Sequence, residues 1–230
     1  MRRAILCGLL LLASVPPTVA PPAAAQSGVD AYRALGLRPQ EVLTGTVVRA
    51  SVLPGGAKQV VCLATYLTGK KDEANAVNVR LGVFEVRGTE SELVSVYRRD
   101  LGAELGGHVG YGDIQILDID LDHISEMVLS YELFRDPTVK ERHAEIVLHD
   151  GTRLHTAWSG PIEYDATRAA RSVPEDRRDR YVREFDWPKT MRTRGVTLFV
   201  SKRVLAVAGE TLAAPRTVEE TFRLRPAEGW

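Results

Sequence analysis

The chain has 230 residues, 44% of them hydrophobic, and its 30 Lys and Arg balance its 30 Asp and Glu. That balance lacks the basic excess a nucleic-acid surface requires, and the length suffices for a core that closes without covalent staples. Of the two cysteines, Cys7 falls in the leader described next, so Cys62 stands alone and excludes an intramolecular disulfide framework.

Residues 1–25 read as an export signal. Arg2 and Arg3 give the basic start, residues 5–15 an uncharged and mostly apolar run, and Ala23-Ala24-Ala25 the small-residue cleavage site, with Gln26 as the expected mature start. The apolar run is shorter than the roughly 20 residues of a bilayer span. The expectation is therefore a secreted or periplasmic protein with no transmembrane segment after signal removal. Its mature part, residues 26–230, carries 28 basic against 30 acidic residues, a net charge of −2.

Residues 29–37 predict a short helix stopped by Gly36. Beyond Pro39 the period changes to two, and Val42, Val47 and Val48 open a strand that ends at the Pro54-Gly55-Gly56 turn. Residues 59–67 form a continuous apolar run of strand length, expected to be buried on both faces, with Cys62 as a small core residue. Val77, Val79, Leu81, Val83 and Val86 mark a long strand, turned at Gly88-Thr89-Glu90 into a return strand over 93–97.

The same figure recurs 63 residues later, where residues 144–149 lead to Asp150-Gly151 and residues 152–158 return. Each hairpin is preceded by another apolar strand, over 60–67 and over 127–134. A degenerate repeat with a period near 60 residues predicts meandering antiparallel sheets. Residues 163–192 then break the pattern. Ser172-Val173-Pro174-Glu175 resembles a capping box, and Tyr181, Val182 and Phe185 an apolar stripe, which together predict a helix ending at Trp187-Pro188 within an insertion over about 165–190. Two strands, 196–200 and 204–208, are expected around a turn at Ser201-Lys202-Arg203, and an alternating edge strand over 217–224 closes the domain.

One segment has spacing that points to chemistry. Asp118, Asp120 and Asp122 alternate after an apolar strand, and Glu126 follows just before a second one. Acids at positions one, three, five and nine of a turn can converge on a hard cation, with the Ile124 carbonyl in the seventh position. The alternative is a solvated turn whose aspartates bond their own backbone. The run Leu117-Asp118-Ile119-Asp120-Leu121-Asp122-His123-Ile124-Ser125-Glu126-Met127-Val128-Leu129 resembles the calcium loop of FG-GAP repeats, the blade units of integrin alpha-chain propellers. That resemblance covers about 15 residues. It implies a Ca2+ site formed by Asp118, Asp120, Asp122, Ile124 and Glu126, and an extracellular binding role rather than catalysis. The family has Gly where this chain has His123, and usually also at Leu121, because the turn needs a left-handed backbone.

Other patterns are weaker. His143, Glu145, His149 and His155 fall at alternate positions around the second hairpin, as exposed strand residues or as zinc ligands. The segment from Asp165 to Arg194 holds nine basic and six acidic residues, a local excess suited to an anionic envelope polymer. No phosphate loop, dinucleotide fingerprint or nucleophile elbow is present.

The sequence thus predicts a single mainly β domain of antiparallel blade-like meanders, an incomplete propeller or sandwich-like arrangement, with two peripheral helices. The expected role is a non-enzymatic extracytoplasmic binding or structural module, without catalytic residues. Its expected partner is an envelope or extracellular protein or polysaccharide. The alternative is a cell-envelope hydrolase using Asp113, His108 or the 118–126 carboxylates.

Overall fold

The computed structural model describes residues 31–55, 58–68, 76–88, 90–100, 108–134, 138–169 and 173–224, so the expected leader lies outside the described residues. Two antiparallel sheets make up the fold. The first takes β1 (Val42–Arg49), β2 (Lys58–Thr68), β3 (Ala76–Arg87) and β4 (Glu90–Asp100) in chain order. The second takes β5 (His108–Leu117), β6 (Glu126–Phe134), β7 (Lys140–His149), β8 (Leu154–Asp165), β9 (Arg180–Phe185), β10 (Thr197–Val207) and β11 (Glu210–Arg223), again each beside its chain neighbour. Strands β1–β4 and β5–β8 are successive four-strand meanders. The two expected hairpins turn at Gly88 (φ +64°) and Gly151 (φ +91°), where glycine enters the left-handed region without steric cost.

Strand alternation explains the layering. On β2, Val61 and Leu63 point toward the second sheet and meet Met127, Leu129, Tyr131 and Leu133 of β6 in the main core. Cys62, Ala64 and Tyr66 point the other way, under Leu35 and Leu37. The apolar run is therefore buried on both faces, as its composition predicts. A helical turn, α1 (31–34), precedes these leucines and stops at Gly36 (φ +73°). Leu35 enters a notch left by Gly82, where a Cβ would lie 2.5 Å from the Leu35 Cδ2. Arg80 donates to the Leu35 carbonyl and, at 2.9 Å, to the Tyr66 hydroxyl, tying the helix end to the sheet.

The second sheet curls. Val128, Ala144 and Ile146 on its other face share one cluster with Ile119, just past β5, with Leu198 and Val200 of β10, and with Leu224, just past β11. Trp158 sits edge-on to Phe185 at 5.4 Å and to Phe222 at 5.7 Å, lining the concave side.

Three expectations are corrected. The helix predicted over 172–185 does not form: residues Glu175–Arg177 make only a 3-10 turn, and Arg180–Phe185 is β9, paired to β8 and β10. Its charges serve a sheet rather than a solvated helix face. Tyr181 stacks on Tyr164 at 5.4 Å, and Arg183 reaches across β10 to Glu220 at 2.7 Å. The second helix, α2 (Trp187–Arg192), instead begins where Trp187-Pro188 suggests an end. Asp186 caps it by accepting from the Lys189 N–H at 3.0 Å, and Pro188 occupies the first turn, where no N–H partner is needed. Likewise Ser201-Lys202-Arg203 is mid-strand rather than a turn. Strand β10 runs unbroken past it, with Lys202 over the Tyr181 ring at 4.2 Å, and reverses at Ala208-Gly209.

Candidate functional site

The β5–β6 connection is pinned by Ile119, 1% exposed, between two aspartates that consequently face away from the core. The loop closes on its own backbone. Asp118 accepts the N–H groups of Asp122 and His123, each at 3.1 Å; Asp120 accepts that of Asp122 at 3.2 Å, and Asp122 that of Ile124 at 2.7 Å. These Asx-type bonds are the local reason for aspartates in this spacing. They hold Leu121 at φ +64° and His123 at φ +71°. The left-handed turn that favours glycine is present at both positions without it.

Glu126, the first residue of β6, reaches back from beneath and accepts the Ile119 N–H. Carboxylate oxygens of Asp118, Asp120 and Glu126 lie within 4.8 Å of one another. Oxygens bound to one calcium at about 2.4 Å can be at most ~4.8 Å apart, so the three fit a shared hard cation. Of the five expected ligands, the structure brings these three together. Asp122 is exposed and outside the group, its carboxylate accepting the Ile124 N–H at 2.7 Å.

The electrostatics follow from burial. Glu126 is 7% exposed; desolvation pushes its carboxyl up to about 8, partly opposed by the Ile119 N–H and reinforced by the charges of Asp120 and Asp122. Burial and the Asp122 charge also raise Asp120. The corresponding loop of the first sheet has no such problem. Buried Gln59 accepts from the Val52 and Leu53 N–H groups at 2.8 and 2.9 Å and donates to the Leu53 carbonyl at 3.0 Å. A carboxamide closes that turn as both acceptor and donor, whereas the Glu126 carboxyl closes this one by accepting the Ile119 N–H. The two loops touch where the Ser125 N–H donates to the Ser51 carbonyl at 2.8 Å.

A cavity of about 290 Å³ opens beside Asp120 and Glu126, with Arg194 and Arg223 on its wall. Sequence reading named Arg194 only as the end of the basic segment and Arg223 not at all, because both lie 68 or more residues downstream of Glu126 and nothing local places them beside it. It also missed Tyr97 and Arg99 of β4, which reach Glu145 across the main core. Their alternation on one strand is the only available signal. His143 and Glu145 are buried, at 4% and 0% exposure, rather than exposed on the strand. His143 pairs with Glu141 and stacks on Tyr131 at 5.9 Å between ring centres. Among the described residues they do not join a metal-ligand group.

Asp113 lines a separate cavity of about 310 Å³ with Ser130 and Arg142, and the His108 side chain lies outside the described residues. In the basic segment, Arg183 is paired with Glu220, Arg180 with Asp165 at 3.4 Å, and Arg178 donates to the Val173 carbonyl. Part of the expected cationic surface is thus engaged within the fold. Among the described residues no helix is long and apolar enough to cross a membrane.

Fold and loop together define an antiparallel two-sheet β protein with an acidic inter-strand turn. No protein-family model matches the chain, and neither curated proteins nor solved structures give a match.

Proposed function

We propose that the chain is an extracytoplasmic, non-enzymatic binding or structural module with an FG-GAP-like repeat, whose aspartate loop is stabilised by calcium. The observation that carries the reading is the convergence of Asp118, Asp120 and Glu126 oxygens within 4.8 Å on a turn already in left-handed geometry at Leu121 and His123. The contrast between the two loops supports it: Gln59 satisfies its turn without charge, while the second loop concentrates carboxylates around a buried Glu126. A divalent cation offsets that repulsion and desolvation. Export to an extracellular or periplasmic compartment, where such a site meets calcium, rests on the leader-like residues 1–25. Envelope protein or polysaccharide is the partner class that follows.

Calorimetric titration of the purified chain with calcium tests the metal. Heat of binding, together with a raised melting temperature at millimolar calcium that Asp120→Asn abolishes, is the expected result. The absence of both binding heat and a melting shift would remove the metal from the reading.

A further inference from the structure

We propose that the cavity beside the aspartate loop binds a small carboxylate ligand at Arg194 and Arg223, and that calcium in the loop strengthens this binding. The inference rests on the cation reading above and adds the ligand class.

At about 290 Å³ the cavity is near the lower bound for small-molecule sites, roughly 300 Å³. Its floor is apolar, formed by Ile119, Leu148 and Leu224. Its charged lining is divided, with Asp120 and Glu126 contributed by the loop and the start of β6, Arg194 by the turn before β10, and Arg223 by the end of β11. Both arginines are exposed, and among the described residues neither forms an ion pair. Guanidinium groups match a carboxylate through paired N–H donors, and the apolar floor suits the remainder of such a ligand.

The cavity is built by close packing of two turns. Arg194 (φ +52°) and Gly195 (φ +67°) are consecutive left-handed residues. The turn is held by the Arg194 N–H to the Met191 carbonyl at 2.9 Å and the Gly195 N–H to the Thr190 carbonyl at 3.3 Å. A Cβ on Gly195 would stand 3.1 Å from the Asp120 Cβ and 3.3 Å from the Ile119 Cγ2, so glycine is what lets this turn reach the aspartate loop. Among the described residues, Leu121, His123, Arg194 and Ala208 are the non-glycine positions with positive φ, and the first three belong to the two turns that meet here. Such strain persists only where surroundings over-determine it, and it concentrates at ligand sites.

The charge arrangement sets the coupling. With the loop empty, an entering carboxylate meets the acidic side of the cavity, Asp120 foremost, as well as the arginines. Calcium removes that repulsion, and three carboxylates leave coordination positions for a ligand oxygen, since calcium takes 6–8. By linkage, the ligand tightens calcium by the same factor.

Hexanoate and its uncharged analogue hexanamide, titrated into the full chain with calcium or with chelator, provide the test. Hexanoate is expected to bind in calcium and at least about tenfold more weakly in chelator, in Arg194→Gly and in Arg223→Gln, as loss of a charge-assisted contact implies. Arg194→Gly removes the guanidinium while easing the backbone, so misfolding does not account for its loss. Calcium binding with no hexanoate binding overturns this proposal alone. Equal binding of hexanamide, or of hexanoate to both variants, does the same. Absence of calcium binding overturns the cation reading, and the coupling with it.

Discussion

The Tyr97 hydroxyl, on β4 of the first sheet, donates to the Glu145 carboxylate on β7 of the second at 2.7 Å. Tyr131 donates to the other oxygen at 2.9 Å, and Arg99 stands 3.4 Å away. Glu145 is fully buried, so these partners replace its water and join the two sheets by a polar contact inside an apolar core. Burial, and then the Glu145 charge, hold both tyrosine hydroxyls well above the usual phenol range, so they remain donors at ordinary pH. Removing one donor leaves a buried acceptor under-satisfied. Tyr97→Phe is expected to cost about 1–3 kcal/mol in urea unfolding, and Glu145→Ala about 3–5 kcal/mol, because it removes the buried acceptor shared by Tyr97, Tyr131 and Arg99. A Tyr97→Phe variant as stable as the parent would mean the sheets do not depend on this bond.

His123 holds a left-handed backbone with a side chain that is 96% exposed. The ring contributes little to packing, while the conformation costs about 1 kcal/mol relative to glycine. His123→Gly is therefore expected to raise the unfolding free energy by about 1 kcal/mol, and His123→Val to lower it by a similar amount or more. Chemical denaturation of the three proteins side by side decides the sign.

The folded chain holds the Glu126 carboxyl at about 8, against about 4.5 ordinarily, so folding favours its protonated form. The stabilising contribution is complete below the unfolded value and is lost as pH rises through the folded one. In chelator, the melting temperature is expected to fall between pH 5 and pH 8, with Glu126→Gln flattening the profile; the effect is on the order of a few kcal/mol. Calcium requires ionised ligands, so its stabilisation is expected to be larger at pH 8 than at pH 5. A flat profile for the parent chain would contradict the burial argument.

Leu35 fills the notch above Gly82, and a methyl group there collides with it. Gly82→Ala is expected to destabilise by about 1–3 kcal/mol, the range for overpacking a core. The double variant Gly82→Ala, Leu35→Ala should lose less than the sum of the two single changes, because the collision disappears. Simple additivity would show that α1 does not dock at this point.

The local order of the chain was legible because each cue acts over a few residues. Strand-length apolar patterns marked β1 through β8, turn glycines marked both hairpins, and the continuous run over 59–67 announced a strand buried on both faces. The aspartate loop was legible for the same reason, since its Asx bonds span only two to five residues. Misreadings arose where long-range pairing outweighed local signals. Residues 180–185 carry helix-like charge spacing, yet backbone pairing to β8 and β10 makes them a strand. Asp186-Trp187-Pro188 is both a plausible stop and a start, and only the completed cap distinguishes them. Sequence alone determined a mainly β meander and one acidic turn, because propensity, alternation and turn chemistry are local. Tertiary structure decided that Glu126 is buried, that Arg194 and Arg223 stand beside it, and that Tyr97 meets Glu145. Those juxtapositions depend on how the second sheet curls and where it faces the first, which no short-range pattern encodes.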